Sequence, residues 1–414
     1  MTQPFIQSIQ LRNFLSFGGE SEAVPLRPLN VIIGANGSGK SNFLEAFELL
    51  RNTPRELADS IRQGGGAESW LWKGNALLSS SDRRSFSVGE PRRKTLPQCA
   101  SVEVVVRNTL TQKSPSLRYG FSFTANNHRF EIVDEKVEEA EKNDPKSRQP
   151  HFYYKFEDGH PVLNARKGKV RTLQREDIHP EKSILAQRRD SDQYPEFDYL
   201  AQSFEKIRLF REWTFGPSAP VRQLQRADMP SGLLLPDSSN LALVLNTFNH
   251  DQKAKQRLLD ELKNFYDGVT DYWVGTDGGA VQLYFLEKNF VTPASRLSDG
   301  TLRYLALLAI LCHPELPPLV CIDEPELGLH PDVLPDLADL LKETSERTQL
   351  IVTTHSDILV EAFTGQPEDV IVAEKSDSNG TTLSRLDAKQ LDVWLEQYSL
   401  GQLWQRGHIG GKRW

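Results

Sequence analysis

Between residues 5 and 34 the apolar positions come in short runs, "FIQSIQLRNFLSF" and then "PLNVIIG", with Gly18, Gly19, Pro25 and Pro28 as punctuation. Runs of this length broken by turn residues predict two or three strands. A helix is expected from about Lys40 to Arg51. Further on, "VEVVVRN" (102–108) and "RYGFSFT" (118–124) read as strands of a meander. In "FDYLAQSFEKIRLFREW" (197–213) and "NLALVLNTF…KQRLLDELKNFY" (240–266) apolar residues recur at steps of three and four, which predicts helices. In the last third, "PPLVCIDEPE" (317–326) and "TQLIVTTHS" (348–356) are short apolar runs ending in polar clusters, with the helical stretch "DVLPDLADLLKETSE" between them. "DVIVAEK" (369–375) is a third such run. Strand, helix, strand predicts a parallel sheet.

The polar stretches divide the chain further. Residues 52–101 include the Gly- and Ser-rich "RQGGGAESWLWKGNALLSSSDRR" and read as an insertion or mobile loop. The tract "VDEKVEEAEKNDPKSRQ" (133–149), nearly all charged, reads as a solvated loop or short exposed helix. "ARKGKVRTLQR" (165–175) is locally basic and reads as a solvated hairpin, with a phosphate-facing surface as the alternative. No heptad pattern persists long enough for a coiled-coil arm, and no internal repeat is found.

Charge and composition narrow the class. With 49 Lys and Arg against 56 Asp and Glu, the net charge of −7 argues against a polybasic nucleic-acid or membrane binder, so any DNA contact must be local. Cys99, Cys312 and Cys321 lack metal-ligand spacing, and two sit in apolar runs, as buried thiols of a reducing cytosol would. The N-terminus shows no charged segment followed by an apolar one, and no run approaches the roughly 18 apolar residues of a membrane span. A cytoplasmic protein with no membrane partner is expected.

The chemistry concentrates in a few motifs. "GANGSGKS", Gly34 to Ser41, matches G-x-x-x-x-G-K-[ST] directly after the strand "NVII" and directly before a helix. In such a loop Asn36, Gly37, Ser38 and Gly39 turn backbone N–H groups around phosphates, the helix start adds its positive end, Lys40 reaches the β- and γ-phosphates, and Ser41 holds Mg2+. "LVCIDEPE" then ends an apolar strand in two carboxylates: Asp323 is placed to hold Mg2+ and Glu324 to orient the attacking water. In "TTHS", His355 stands at the tip of the next strand, within reach of a γ-phosphate. Together these predict a P-loop NTPase using ATP and Mg2+.

One turn is surplus to a single such site. "SRLSDGTLRYLALLAI" (295–310) opens with Ser298, Asp299 and Gly300 and runs into a helix. An LSxG turn upstream of "IDEP" resembles the signature motif of ABC-type ATPases, which presents its Ser hydroxyl, Gly amide and helix end to the nucleotide on the opposite subunit. With one phosphate loop and one signature, the resemblance implies a homodimer with two composite ATP sites. "EPELGLHP" and the N-terminal "LRNFLSF" resemble the RecF/SMC-like branch, in particular compact prokaryotic ATPases related to the OLD proteins, over nearly the whole chain. That resemblance implies Gln187 as the Q-loop glutamine that senses the γ-phosphate and Arg12 as a basic residue approaching the nucleotide. His330 stands where the usual D-loop aspartate would be.

The expected fold is α/β: a P-loop NTPase of the ABC-type ATPase head, with a mixed sheet core, a β-meander insertion and a helical signature lobe. One head is expected over 1–414, with the nucleotide-binding core in 1–51 and 296–380, inserted loops and strands in 52–182, a helical lobe in 183–295 and a C-terminal segment in 381–414. OLD-type nucleases append a TOPRIM domain, and the chain after His355 is too short for one. A separate nuclease or TOPRIM-like effector is therefore expected as partner. The expected activity is ATP hydrolysis acting as a switch in DNA repair or anti-phage defence. The alternatives are a RecF-type DNA-binding clamp, with DNA near the 165–175 tract, and, less favoured, a transporter's ATPase subunit.

Overall fold

The first apolar runs form β1 (Ile6–Arg12), β2 (Val24–Pro25) and β3 (Leu29–Ile33), and α1 (Lys40–Asn52) follows. The computed structural model describes residues 3–74, 98–141, 150–157, 160–165, 169–173, 177–266 and 268–410. The chain divides into two units, one made of residues 1–207, 371–386 and 409–414 and the other of 208–370 and 387–408.

In the first unit, α2 (Leu57–Gln63) follows α1, and the strands β4 (Ala100–Val106), β5 (Leu117–Asn126), β6 (Arg129–Glu139), β7 (Phe152–Glu157), β8 (His160–Ala165) and β9 (Lys169–Thr172) come next. They build one antiparallel sheet in the order β2-β1-β4-β5-β6-β7-β8-β9. β4 pairs directly with β1, Ile9 opposite Val104, so the meander continues the sheet begun at the N-terminus. Strict alternation makes this possible: along β4 every second residue, Ala100, Val102, Val104 and Val106, is buried. Two short helices close this part of the chain, α3 (Ile184–Gln187) and α4 (Pro195–Glu205).

One expectation fails here. The charged tract from Val133 is a strand as far as Glu139, with Glu135 and Glu139 on its buried side. Charge masked a period-2 pattern, because both carboxylates find donors: Tyr119 and Ser183 for Glu135, Tyr153 for Glu139. Residues 142–149 of the tract lie outside the described residues, as do 75–97 of the Gly/Ser-rich stretch. The basic tract forms the β8–β9 hairpin, Leu163 opposite Arg171, with Arg166 and Lys167 outside the described residues.

The helix expected over 197–213 ends at Glu205, and Arg208–Phe210 forms β10 in the second unit. The apolar spacing runs on unbroken, but its period changes after Phe204, and β10 pairs in parallel with β15 (Leu319–Asp323). The second unit then contains β11 (Gln225–Arg226), α5 (Leu241–Phe248), α6 (Gln252–Phe265), β12 (Val269–Asp277), β13 (Ala280–Glu287), β14 (Phe290–Pro293) and α7 (Asp299–Leu311). β11 to β14 form a small antiparallel sheet. α7 is buried along nearly its whole length, from Thr301 to Leu311.

β15, α8 (Leu334–Ser345) and β16 (Gln349–Thr353) give the expected strand, helix, strand. β15 and β16 pair in parallel, Cys321 opposite Ile351, and both are nearly wholly buried, as a strand covered on two faces must be. After α9 (Asp357–Glu361), β17 (Val370–Ser376) lies beside β3 and pairs antiparallel with β18 (Gly380–Arg385). The second unit closes with α10 (Ala388–Leu395) and α11 (Leu400–Gln405).

Candidate nucleotide site

In the first unit, β3 is buried at all five positions and delivers the chain into the 34–39 loop, from which α1 starts at Lys40. Ser38 N donates to the Ala35 carbonyl at 3.2 Å, closing a tight turn. Gly39 has φ +103, and a Cβ there would overlap the Thr381 hydroxyl, so conformation and space both demand glycine. Thr381 also fixes the loop: its hydroxyl donates to the Ser38 carbonyl (2.8 Å) and shares a hydrogen bond with Ser16 (2.7 Å). The Lys40 ammonium is buried and donates to the Gly34 and Ala35 carbonyls at 2.8 and 3.0 Å. No side chain caps the first turn of α1, which leaves its N–H groups for an anion, and the buried Ser38 hydroxyl has no partner. These residues fit the phosphates of a nucleotide.

The second unit gathers the carboxylates and the histidine. Asp323 ends β15, and its Oδ1 accepts from the Thr353 hydroxyl on β16. The next residue, Glu324, sits at φ +48, a left-handed conformation that costs a residue with a side chain on the order of 1–3 kcal/mol. Two bonds hold it there: Glu324 N donates to the Thr353 carbonyl (3.1 Å) and to the Thr353 hydroxyl (3.2 Å). The strained turn directs the Glu324 carboxylate at His355 Nε2, 3.0 Å away, with both side chains about one-third exposed. Glu326 stays behind, half-buried. Its Oε1 accepts from the Thr354 hydroxyl (2.6 Å) and His355 N (2.8 Å), and burial raises its carboxyl above the usual range. Asp323, Glu324 and His355 therefore form one partly exposed edge, backed by Thr353, Thr354 and Glu326.

The 298–300 turn lies in the same unit. Ser298 caps α7, its Oγ accepting from Thr301 N at 3.0 Å, and Ser298 and Asp299 are exposed. A Cβ on Gly300 would lie 2.8 Å from the Gly328 carbonyl, so glycine lets the helix start approach the 327–330 turn. Arg222 braces the turn: it pairs with Asp299, donates to the Leu297 carbonyl (2.7 Å) and Ser295 carbonyl (3.1 Å), and through Nε to the Phe215 carbonyl (2.8 Å). Arg303, one turn into α7, donates to the Leu327 carbonyl and lies over the Trp213 ring at 5.0 Å. Trp213 in turn donates to the Asp323 carbonyl at 2.8 Å. Burial lowers the Arg303 guanidinium to about 10, against the opposing pull of Glu326 and Glu324. The α7 helix is thus wired to the end of β15 through two residues that sequence reasoning missed. Neither carries a motif, and their partners lie far away along the chain.

The remaining expected residues have these positions. Gln187 ends α3 in the first unit, where its amide accepts from His179 N (2.8 Å) and donates to the Lys182 carbonyl (2.7 Å) and the His179 carbonyl (3.2 Å). Arg12 ends β1 opposite Ser101. His330 is exposed, its Nδ1 accepting from Asp332 N at 3.3 Å. Asn36 and Gly37 lie exposed in the phosphate loop and Ser41 in the first turn of α1.

A phosphate loop, a carboxylate-ended buried strand and an LSxG turn on an α/β frame define an ABC-type P-loop ATPase head, and solved SMC heads share the fold. The SMC head bound to the C-winged helix domain of ScpA aligns with a TM-score of 0.55 at 15% identity, covering 94% of this chain and 99% of that one. An Smc head with an extended coiled coil, bound to the C-terminal domain of ScpA and derived from Pyrococcus furiosus, gives 0.52 at 14% identity, covering 95% and 99%. The chain belongs to the family described as "AAA domain, putative AbiEii toxin, Type IV TA system", whose model matches residues 29–361. The sequence matches none of the curated proteins. The protein is an AAA/ABC-type ATPase with the SMC-head fold, and among the described residues no helix is long and apolar enough to cross a membrane.

Proposed function

We propose that the chain binds ATP with Mg2+, closes as a homodimer over two nucleotides, and hydrolyses them slowly as a switch in phage defence or DNA repair that a separate effector reads. The observation that carries this is the strained Glu324 turn. A chain accepts a left-handed glutamate beside a histidine and an aspartate where that carboxylate has work to do. Lys40 and the loop N–H groups offset phosphate charge, Ser41 and Asp323 hold Mg2+, and Glu324 orients or deprotonates the attacking water while His355 steadies Glu324 and the γ-phosphate. Ser298, Asp299 and Gly300 act in trans on the partner's γ-phosphate. Gln187 and Arg12 are assigned to sensing and contacting the nucleotide. Among the described residues no cluster of three or more His, Cys, Asp or Glu makes a metal cage, and nucleotide-bound Mg2+ needs only one or two protein ligands.

The defence role is supported by the family description, with its toxin and toxin–antitoxin wording. Steady-state hydrolysis tests the chemistry. Lys40→Ala is expected to lose ATP binding, and Glu324→Gln to bind ATP normally with turnover reduced by about 10²-fold or more. Wild-type turnover in Glu324→Gln would remove Glu324 from its assigned role.

A further inference from the structure

In the first unit a partly enclosed cavity of about 170 Å³ opens between β6, β7 and the 178–182 segment, and its lining includes no residue of the phosphate loop. Its walls are mostly apolar, with the rings of Tyr154 and Phe156 and the side chains of Ile132 and Ile178. Five polar side chains break them: Tyr154, Glu131, Glu135, Lys182 and His179, whose Nδ1 accepts from Glu181 N at 3.2 Å. The Tyr154 hydroxyl is buried and has no hydrogen-bond partner. The Glu135 carboxylate takes the Tyr119 (2.9 Å) and Ser183 (2.6 Å) hydroxyls on Oε1 but only Ile184 N (2.8 Å) on Oε2. A carboxylate offers about four acceptor positions, so one on Oε2 is left over. Glu131 adds a second carboxylate, held by Asn126 at 2.8 Å. The Lys182 ammonium is taken by Glu56 at 2.7 Å, so the balance of the cavity favours a donor over an anion.

We propose that this cavity is a binding site for a ring-sized small molecule that carries an N–H donor beside an acceptor, such as an amino-substituted heteroaromatic ring. The donor meets Glu135, the acceptor takes the Tyr154 hydroxyl, and the ring packs against Phe156 and the apolar wall. An apolar cavity of ~150 Å³ admits benzene, so one substituted ring fits the volume. The wall is also suited to respond. Residues 178–182 are tied to β6 by Ile132 N donating to the Pro180 carbonyl at 2.8 Å, and Gln187 clasps the same segment at His179 and Lys182. An occupant stiffens the segment that leads into Gln187. Binding stands on the cavity alone, whereas any effect on hydrolysis rests on Gln187 acting as the γ-phosphate sensor.

The test is a ligand-observed NMR titration of the full chain with 2-aminopyridine, with 2-methylpyridine as a control that keeps the ring nitrogen and lacks the donor. It is run with and without saturating ATP. The expected result is saturable 2-aminopyridine binding indifferent to ATP, at least about tenfold weaker for 2-methylpyridine, and weakened about five- to tenfold in Tyr154→Phe, which keeps the ring. Ile178→Trp, which fills the cavity from the half-buried segment and leaves the sheet untouched, should abolish binding while circular dichroism stays unchanged. Absence of binding, equal binding in both variants, or displacement by ATP would each overturn the proposal and leave a hydrated void or the nucleotide site itself. ATP hydrolysis measured on the same variants separates a failure here from a failure of the ATPase reading.

Discussion

Glu135 is a residue whose charge and surroundings conflict. Burial raises its carboxyl from 4.5 to about 7, against the opposing bonds from Ser183, Ile184 N and Tyr119. A raised folded value means that the folded chain holds this proton more tightly than the unfolded one between those two pH values. Its stabilising contribution is complete below pH 4.5 and is lost as pH rises through 7. At about 1.36 kcal/mol per unit the loss is about 3 kcal/mol. Urea unfolding across that window should therefore show the wild type losing stability that Glu135→Gln does not lose, and superimposable profiles for the two proteins would contradict the assignment. Sequence alone hid this residue, because a glutamate in a run of charges reads as solvated. Lys40, Ser41 and Asp323 stand out for the opposite reason: the roles proposed for them rest on local spacing. Thr353, Thr381 and Trp213 do not, since each acts on a partner brought close only by strand pairing or by a loop crossing the end of β15.

At the scale of elements, legibility followed period. α1, α5, α6, β15 and β16 were visible because each keeps one repeat along its length. The helix expected over 197–213 failed because Phe197, Leu200, Ala201 and Phe204 continue into Ile207, Leu209 and Phe210 with no break in apolarity, and only pairing with β15 makes the second group a strand. The start of α7 is held by a cap and a brace. Ser298→Ala should cost about 1 kcal/mol as a lost cap. Arg222→Leu strips the bonds that hold the Leu297 and Ser295 carbonyls and Asp299, and should cost about 2 kcal/mol. In thermal unfolding both variants should stay folded, with Arg222→Leu the less stable. Because Arg222 braces the signature turn, its loss should also slow hydrolysis while ATP binding in the presence of Glu324→Gln, read by fluorescent analogue titration, stays within about threefold. Unchanged turnover in Arg222→Leu would make the brace purely structural.

At the scale of the whole molecule, the family model runs from residue 29 to 361 and so includes segments of both units, among them the phosphate loop, the 298–300 turn and the carboxylates after β15. In the proposed reading the 298–300 turn serves the site of a second copy, so one loop and one such turn per chain call for a homodimer. ATP can drive closure only by as much as it prefers the closed form to the open one, so blocking hydrolysis should reveal the closed dimer most clearly. The deciding measurement is the solution mass, by light scattering, of wild type and Glu324→Gln with and without ATP and Mg2+. The composite-site reading predicts a dimer in Glu324→Gln that forms with ATP and is abolished by adding Ser298→Arg. A mass that never changes with nucleotide, or a dimer that survives Ser298→Arg, would contradict it.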